Sequence, residues 1–191
     1  MNLSGLPIDA SWSLFLDRDG VINRRIVDGY VLHKGEFEIL PGVLEAIHVF
    51  SNLFPRIFIV TNQQGIGKGL MSADDLKNIH QYLLSEIKKM QGRVDKIYYA
   101  PNLKSENSPM RKPGIGMALQ AKREFPKIDF EKSIMVGDAV SDMEFGKNAG
   151  MTTVFIGEKK NSFADFCFPS LSKFADEIKS HNSYKLLTTN N

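Results

Sequence analysis

Two aspartates, Asp17 and Asp19, stand two residues apart where the apolar run Leu14-Phe15-Leu16 stops, and Gly20 follows closely. Carboxylates packed this closely lose hydration and repel each other unless a cation is held between them. Oxygen donors of this kind suit magnesium better than softer metals. Asp and Gly are also common in turns, so the pair alone favours chemistry only modestly over a simple turn. Three further segments carry chemistry. Thr61-Asn62-Gln63-Gln64-Gly65 closes a β-branched run, and a hydroxyl with backbone N–H groups at such a turn binds phosphate oxygens or caps a helix. Arg111-Lys112-Pro113-Gly114 precedes a helical pattern; Lys112 would meet a phosphate as a point charge and Arg111 as a fork, or both would be solvated. Gly137-Asp138-Ala139-Val140-Ser141-Asp142 repeats at Asp138 the strand-end position of Asp17. Asp142, four residues on, either supports the same site or serves the start of a helix. Chance is a poor account of three strands ending in metal- or phosphate-binding groups, with a basic residue supplied before a helix.

The elements that must position these groups alternate. Apolar runs bounded by turn signals predict strands near 12–17, 56–62, 96–100, 133–138 and 152–156. Helices are expected over 41–50, with Pro41 near the first turn, and from a Ser72 cap to about 91. Two more should cover 113–125 and the stretch up to Ala149, with Gly150 as its stop. Strands separated by helices give a parallel sheet, and ligands in such sheets gather at the strands' carboxyl ends. The expected fold is therefore α/β: a three-layer α/β/α sandwich with a Rossmann-like sheet. A polar excursion, 24–37, is long enough to cover the site but too short for a full cap domain. One domain should span 1–185, leaving 186–191 as a disordered tail.

Composition narrows the function classes. The chain has 191 residues, 42% hydrophobic and 24% charged, with a formal charge of +2, as expected for one globular domain. No basic stripe marks a nucleic-acid surface. The lone cysteine, Cys167, excludes an internal disulfide or a cysteine zinc cluster. No apolar run approaches the roughly 18 residues of a membrane span, and residues 1–13 lack a signal-peptide pattern. A monomeric, cytoplasmic protein without nucleic-acid or membrane partners is the expectation. His33, His48, His80 and His181 are scattered and are expected to be structural or exposed.

The order Asp-x-Asp-Gly-Val, strand-end Thr-Asn, Lys, and Gly-Asp-x-x-x-Asp resembles the four motifs of the haloacid dehalogenase superfamily of phosphohydrolases, covering Phe15 to Asp142. Phe15 to Asn23 and Thr61 to Ile66 are similar to the branch of the heptose 1,7-bisphosphate and histidinol-phosphate phosphatases. Asp28-Gly29-Tyr30-Val31, Tyr98-Tyr99, Arg111-Lys112-Pro113 and Met135 to Asp138 add to the likeness. The resemblance implies that Asp17 is a nucleophile forming an aspartyl-phosphate and that Asp19 is its general acid–base. It implies magnesium held by Asp17, the Asp19 carbonyl and Asp138, with Thr61 and Lys112 on the phosphoryl oxygens. Asp142 would position Lys112 or metal-bound water. Asp28, Gly29, Tyr30, Asn62, Gln63, Gln64 and Arg111 fall in the substrate-contacting segments. The implied substrate is a small phosphorylated metabolite: heptose 1,7-bisphosphate losing its 7-phosphate, or histidinol phosphate or another sugar phosphate.

Two features depart from that pattern. Relatives often carry a Cys/His zinc loop, whose equivalents here are Ala100, Asn102, Ser108 and Met110; none is a zinc ligand, and no zinc is expected. Ala139 stands where relatives can have a basic residue. Gln63-Gln64-Gly65-Ile66-Gly67-Lys68-Gly69 is not a P-loop, because Asn62 and Gly69 occupy the required Gly and Ser/Thr positions. A phosphoacceptor signalling domain or a non-catalytic phosphate-binding protein is the alternative of another class. Against the first, Asp19 would have no duty; against the second, every residue needed for turnover is present.

Overall fold

The computed structural model describes residues 6–158 and 161–188, with side chains as far as 180. Six parallel strands form one sheet in the order β3-β2-β1-β4-β5-β6. They are β1 (Ser13–Leu16), β2 (Arg56–Asn62), β3 (Lys96–Ala100), β4 (Ser133–Gly137), β5 (Thr152–Ile156) and β6 (Phe166–Phe168). The helices are α1 (Val43–Leu53), the short α2 (Gln64–Gly67), α3 (Ala73–Lys89), α4 (Gly116–Glu124), α5 (Val140–Ala149) and α6 (Leu171–Thr188).

Alternation within each strand decides the layers. Leu14 and Leu16 of β1, Ile57 and Ile59 of β2, and Ile134 and Val136 of β4 share a core with α1, α3 and α6. Phe15, Phe58, Val60 and Met135 point the other way, into a second core with α4 and α5. Both faces of the sheet are thus covered by helices, as an all-parallel sheet requires, giving the three-layer sandwich. Ser72 caps α3: its hydroxyl accepts from the Asp75 N–H at 3.1 Å, and Asp75 returns a bond to the Ser72 N–H. Gly150, at φ 83°, ends α5 in the left-handed region.

The carboxyl end of the chain differs from the sequence expectation. Phe166–Phe168 adds a sixth strand at the sheet edge, and α6 runs back against α1. Residues 186–188 close α6, while 189–191 lie outside the described residues. Among the described residues no helix is long and apolar enough to cross a membrane.

Chain order reverses on either side of β1, because β2 and β4 are its two neighbours. A crevice at such a switch point is where α/β sheets bind ligands. The three strands that carry the aspartate and threonine motifs are therefore adjacent, in matched register: Leu16 lies beside both Ile59 and Val136.

Candidate active site

Asp17 leaves the end of β1 with its N–H still bonded to Val136 O (2.8 Å), which fixes the backbone just before the side chain turns into the crevice. Lys112 comes from the loop before α4 and is buried against three oxygens. Its Nζ lies 2.6 Å from Asp17 Oδ1, 2.7 Å from Asp142 Oδ1 and 2.7 Å from Val60 O. An ammonium has three donors, and all three are used. Burial works against the Lys112 charge, but Asp142 and Asp17 outweigh it and raise its pKa. Burial pushes Asp17 up to about 6, with Lys112 opposing and the Asp142 and Asp19 charges adding to the rise. Asp142 is also held by the Ala139 N–H at 3.0 Å, at the start of α5.

Lys112 is aimed by its backbone. Asn62, the last residue of β2, accepts from Lys112 N (3.0 Å) and donates to Lys112 O (3.2 Å). The pair of bonds welds the lysine's peptide group to the sheet.

Asp138 follows β4 and faces Asp17. Oxygens of Asp17, Asp138 and Asp142 all lie within 4.8 Å of one another. Burial and then the Asp17 charge raise Asp138 to about 7. Gly20, at φ 96°, makes room for it, since a Cβ there would overlap the Asp138 carboxylate. Into this acidic group reaches Arg25. Its Nη2 donates to Asp138 Oδ1 (2.7 Å) and to the Asp19 carbonyl (3.0 Å), and lies 3.9 Å from Asp17 Oδ2. These hard oxygen donors fit a magnesium ion, which takes carboxylate and carbonyl oxygen and no sulfur.

The Asp19 side chain is elsewhere engaged. Arg18 Nη2 bonds both its oxygens at 2.9 Å, Asn23 donates at 3.0 Å and Gln63 at 2.9 Å. Burial alone would raise its pKa, but the Arg18 charge and these bonds lower it. Gln63 also donates to the Thr61 hydroxyl at 2.8 Å, linking the two positions. Asn62 and Gln63, grouped with the substrate contacts by the sequence, thus spend their amides on Lys112, Asp19 and Thr61; Gln63 is buried outright.

The remaining substrate candidates form a rim. Gln64 donates to the Tyr30 hydroxyl (2.9 Å), and the Lys68 ammonium lies 5.2 Å from the Tyr30 ring centre. Arg111 is half-buried and bonds Asn102 O at 3.3 Å. It lines a cleft of about 490 Å³ with Asn62, Lys104, Lys112, Ser141 and Glu144. Asp28 is exposed, at φ 54°, in the turn before Gly29. The larger cavity, about 710 Å³ and lined by Ser13, Arg56 and Phe125 among others, opens at the amino ends of β1 and β2, away from the carboxylates. In the loop after β3, Asn102 bonds Glu106 (2.8 Å) and Ser108 Oγ accepts from Met110 N (3.3 Å).

Sequence reasoning missed Arg18, Asn23 and Arg25. It also left His80 without a duty beyond structure, although its Nε2 lies 3.3 Å from Arg18 Nη1. Burial, then the Arg18 charge, depresses His80 to about 3. The folded state therefore holds fewer protons at His80 than the unfolded chain between about pH 3 and 6.5. That contribution is complete above 6.5 and is lost as pH falls. Asp17 and Asp138, raised by burial, act in the opposite sense, so the comparison must be with His80→Gln. In urea unfolding, wild type should lose about 2 kcal/mol relative to that variant between pH 7 and pH 5. A pH-independent difference would contradict the buried neutral imidazole.

Comparison with known proteins places the chain in a family and agrees with its fold. The polynucleotide kinase 3 phosphatase family matches residues 19–180. The chain is 39% identical over 170 residues to D-glycero-alpha-D-manno-heptose-1,7-bisphosphate 7-phosphatase of Mycobacterium bovis, covering 86% of this chain and 90% of that one. It is 40% identical over 154 residues to the enzyme of the same name from Campylobacter jejuni, covering 81% and 87%. Its fold matches the crystal structure of D,D-heptose 1,7-bisphosphate phosphatase from B. bronchiseptica, complexed with magnesium and phosphate. That match has a TM-score of 0.80 at 26% identity and covers 88% and 98% of the two chains.

Proposed function

Because this chain belongs to the heptose 1,7-bisphosphate 7-phosphatase family of haloacid dehalogenase-type phosphatases, we propose that it hydrolyses the 7-phosphate of a D-glycero-D-manno-heptose 1,7-bisphosphate with magnesium as cofactor. The observation that supports this best is the joining of Asp17, Lys112, Asp142 and Asp138 at the sheet's switch point. A carboxylate nucleophile, a fully engaged lysine and a set of hard oxygen donors are what phosphoryl transfer through an aspartyl-phosphate needs.

In the first step an Asp17 oxygen attacks phosphorus and the P–O bond to the sugar breaks. The departing sugar oxygen takes a proton from Asp19. In the second step water attacks the phosphorus of the aspartyl-phosphate, gives its proton back to Asp19, and phosphate leaves Asp17 free. Lys112 and Thr61 carry the charge that develops on the phosphoryl oxygens. Held by Asp17, Asp138 and the Asp19 carbonyl, magnesium would supply positive charge between these carboxylates and the phosphate dianion.

Bound by Arg18, Asn23 and Gln63, Asp19 is set to accept a proton. To donate one it must turn out of the Arg18 fork, which removes the interactions that lower its pKa. Gln63, Asn23 and Arg18 thus act as positioning residues for the acid–base group, and Asn62 does the same for Lys112. Tyr30, Gln64, Lys68 and Arg111 offer the hydroxyls and the distal phosphate polar and cationic partners at the rim.

A panel of phosphate esters ranked by kcat/KM tests the substrate, because that ratio measures discrimination directly. It should include both heptose bisphosphate anomers, histidinol phosphate and a 3′-phosphorylated oligonucleotide. Heptose bisphosphate is expected to lead by at least about tenfold. A preference for histidinol phosphate or for the oligonucleotide overturns the substrate while leaving the two-step chemistry standing.

A further inference from the structure

We propose that Arg25 is a built-in counter-cation: its guanidinium and the divalent cation are alternative occupants of one oxygen cage, so cation binding must evict the side chain. This rests on the assignment of Asp17, Asp138 and the Asp19 carbonyl as cation donors. Those are the same three groups that Arg25 Nη2 gathers, at 3.9, 2.7 and 3.0 Å. A side chain and a metal ion cannot share a point defined by the same atoms, and like charges that close repel strongly.

The surrounding chain is arranged for such an exchange. Arg24 is tied outward, by two bonds to the Glu38 carboxylate (2.7 and 2.9 Å) and by Arg24 N to Glu38 O (2.8 Å). That anchor holds the base of the segment. Beyond it lie Ile26, which is exposed, Val27, 83% exposed, and a turn closed by the Gly29 N–H on Ile26 O (3.2 Å). Arg25 itself is 45% exposed on its side chain, so withdrawal to solvent breaks few packing contacts. Its charge meanwhile spares Asp17 and Asp138 from facing each other uncompensated. The consequence is a tax on cation affinity: only the fraction of molecules with Arg25 withdrawn is competent to bind.

The test is magnesium binding to the full chain, without substrate, by titration calorimetry, together with thermal unfolding with and without magnesium. Arg25→Gln is expected to bind magnesium about tenfold more tightly than wild type. It should also melt lower without magnesium and gain more from adding it. Arg25→Lys, which keeps the charge but loses the planar fork, should fall between the two and serves as the test if the glutamine variant fails to fold. Equal affinities for wild type and a folded variant overturn the proposal. No magnesium binding to either protein overturns instead the cation-site assignment on which it stands.

Discussion

Asp17→Asn is expected to abolish phosphate release while leaving the protein folded. An amide is a poor nucleophile, and it offers the cation a neutral oxygen in place of an anion. Because both half-reactions pass through this atom, the loss in kcat should be on the order of 10⁴-fold or more. Stability should not follow activity. Burial already raises the Asp17 pKa to about 6, so its charge is costly to keep in place, and Asp142 remains at 2.7 Å to pair Lys112. Single-turnover kinetics with circular dichroism on the same sample checks both halves. Appreciable turnover in a well-folded Asp17→Asn protein removes the covalent mechanism.

Lys112→Met should be the most destabilising single change in the site. Methionine fills similar volume but leaves Asp17 and Asp142 buried without the ammonium they share, and breaking one side of a buried pair costs about 3–5 kcal/mol. The sign with pH follows from the same charges. Without Lys112, Asp17, already raised to about 6 by burial, is pushed further toward the protonated form, so the folded variant holds more protons there than its unfolded chain. Relative to wild type, its stability must then fall as pH rises. Urea unfolding of variant and wild type at two pH values reads this directly. Activity should also drop by about 10²–10³-fold, as when one donor to a developing oxyanion is removed. A stability difference from wild type that does not change with pH would show that Asp17 is compensated by something other than Lys112.

Much of this site is legible in the chain because its parts sit at strand ends. A buried strand is a run of apolar residues, and the first polar residue after it marks the crevice; Asp17, Thr61 and Asp138 are all found that way. Residues that act across the sequence are not marked locally. Arg24 and Arg25 are neighbours of identical type, yet one pairs with Glu38 outside and the other reaches Asp138, 113 residues away. Nothing in their order says which faces inward. Arg18 looks like a polar residue in a turn, and only the folded chain shows it buried between His80 and Asp19. Asn62 and Gln63 read as substrate groups because amides at a strand end are good ligand contacts; the bonds they make to Lys112, Asp19 and Thr61 depend on the third strand-to-helix loop and on β1. The sixth strand escapes because three edge residues, Phe-Cys-Phe, are too few to show a period.

The clamp between Asn62 and the Lys112 peptide has a consequence for how this architecture can vary. The lysine's position is inherited from the sheet, not from the ten or so residues that lead to it from β3. That connecting loop bears on the rim, through Lys104 N to Gln64 Oε1 (2.7 Å) and Arg111 Nη1 to Asn102 O (3.3 Å), while Lys112 keeps its own tie to β2. It can be lengthened, shortened or rebuilt around a metal without shifting the ammonium from Asp17, provided the asparagine keeps both bonds. The rim is then an exchangeable part carried on a constant engine, and grafting a longer loop between Pro101 and Met110 should retune which phosphate esters are accepted while leaving the rate of phosphoryl transfer, once bound, nearly unchanged.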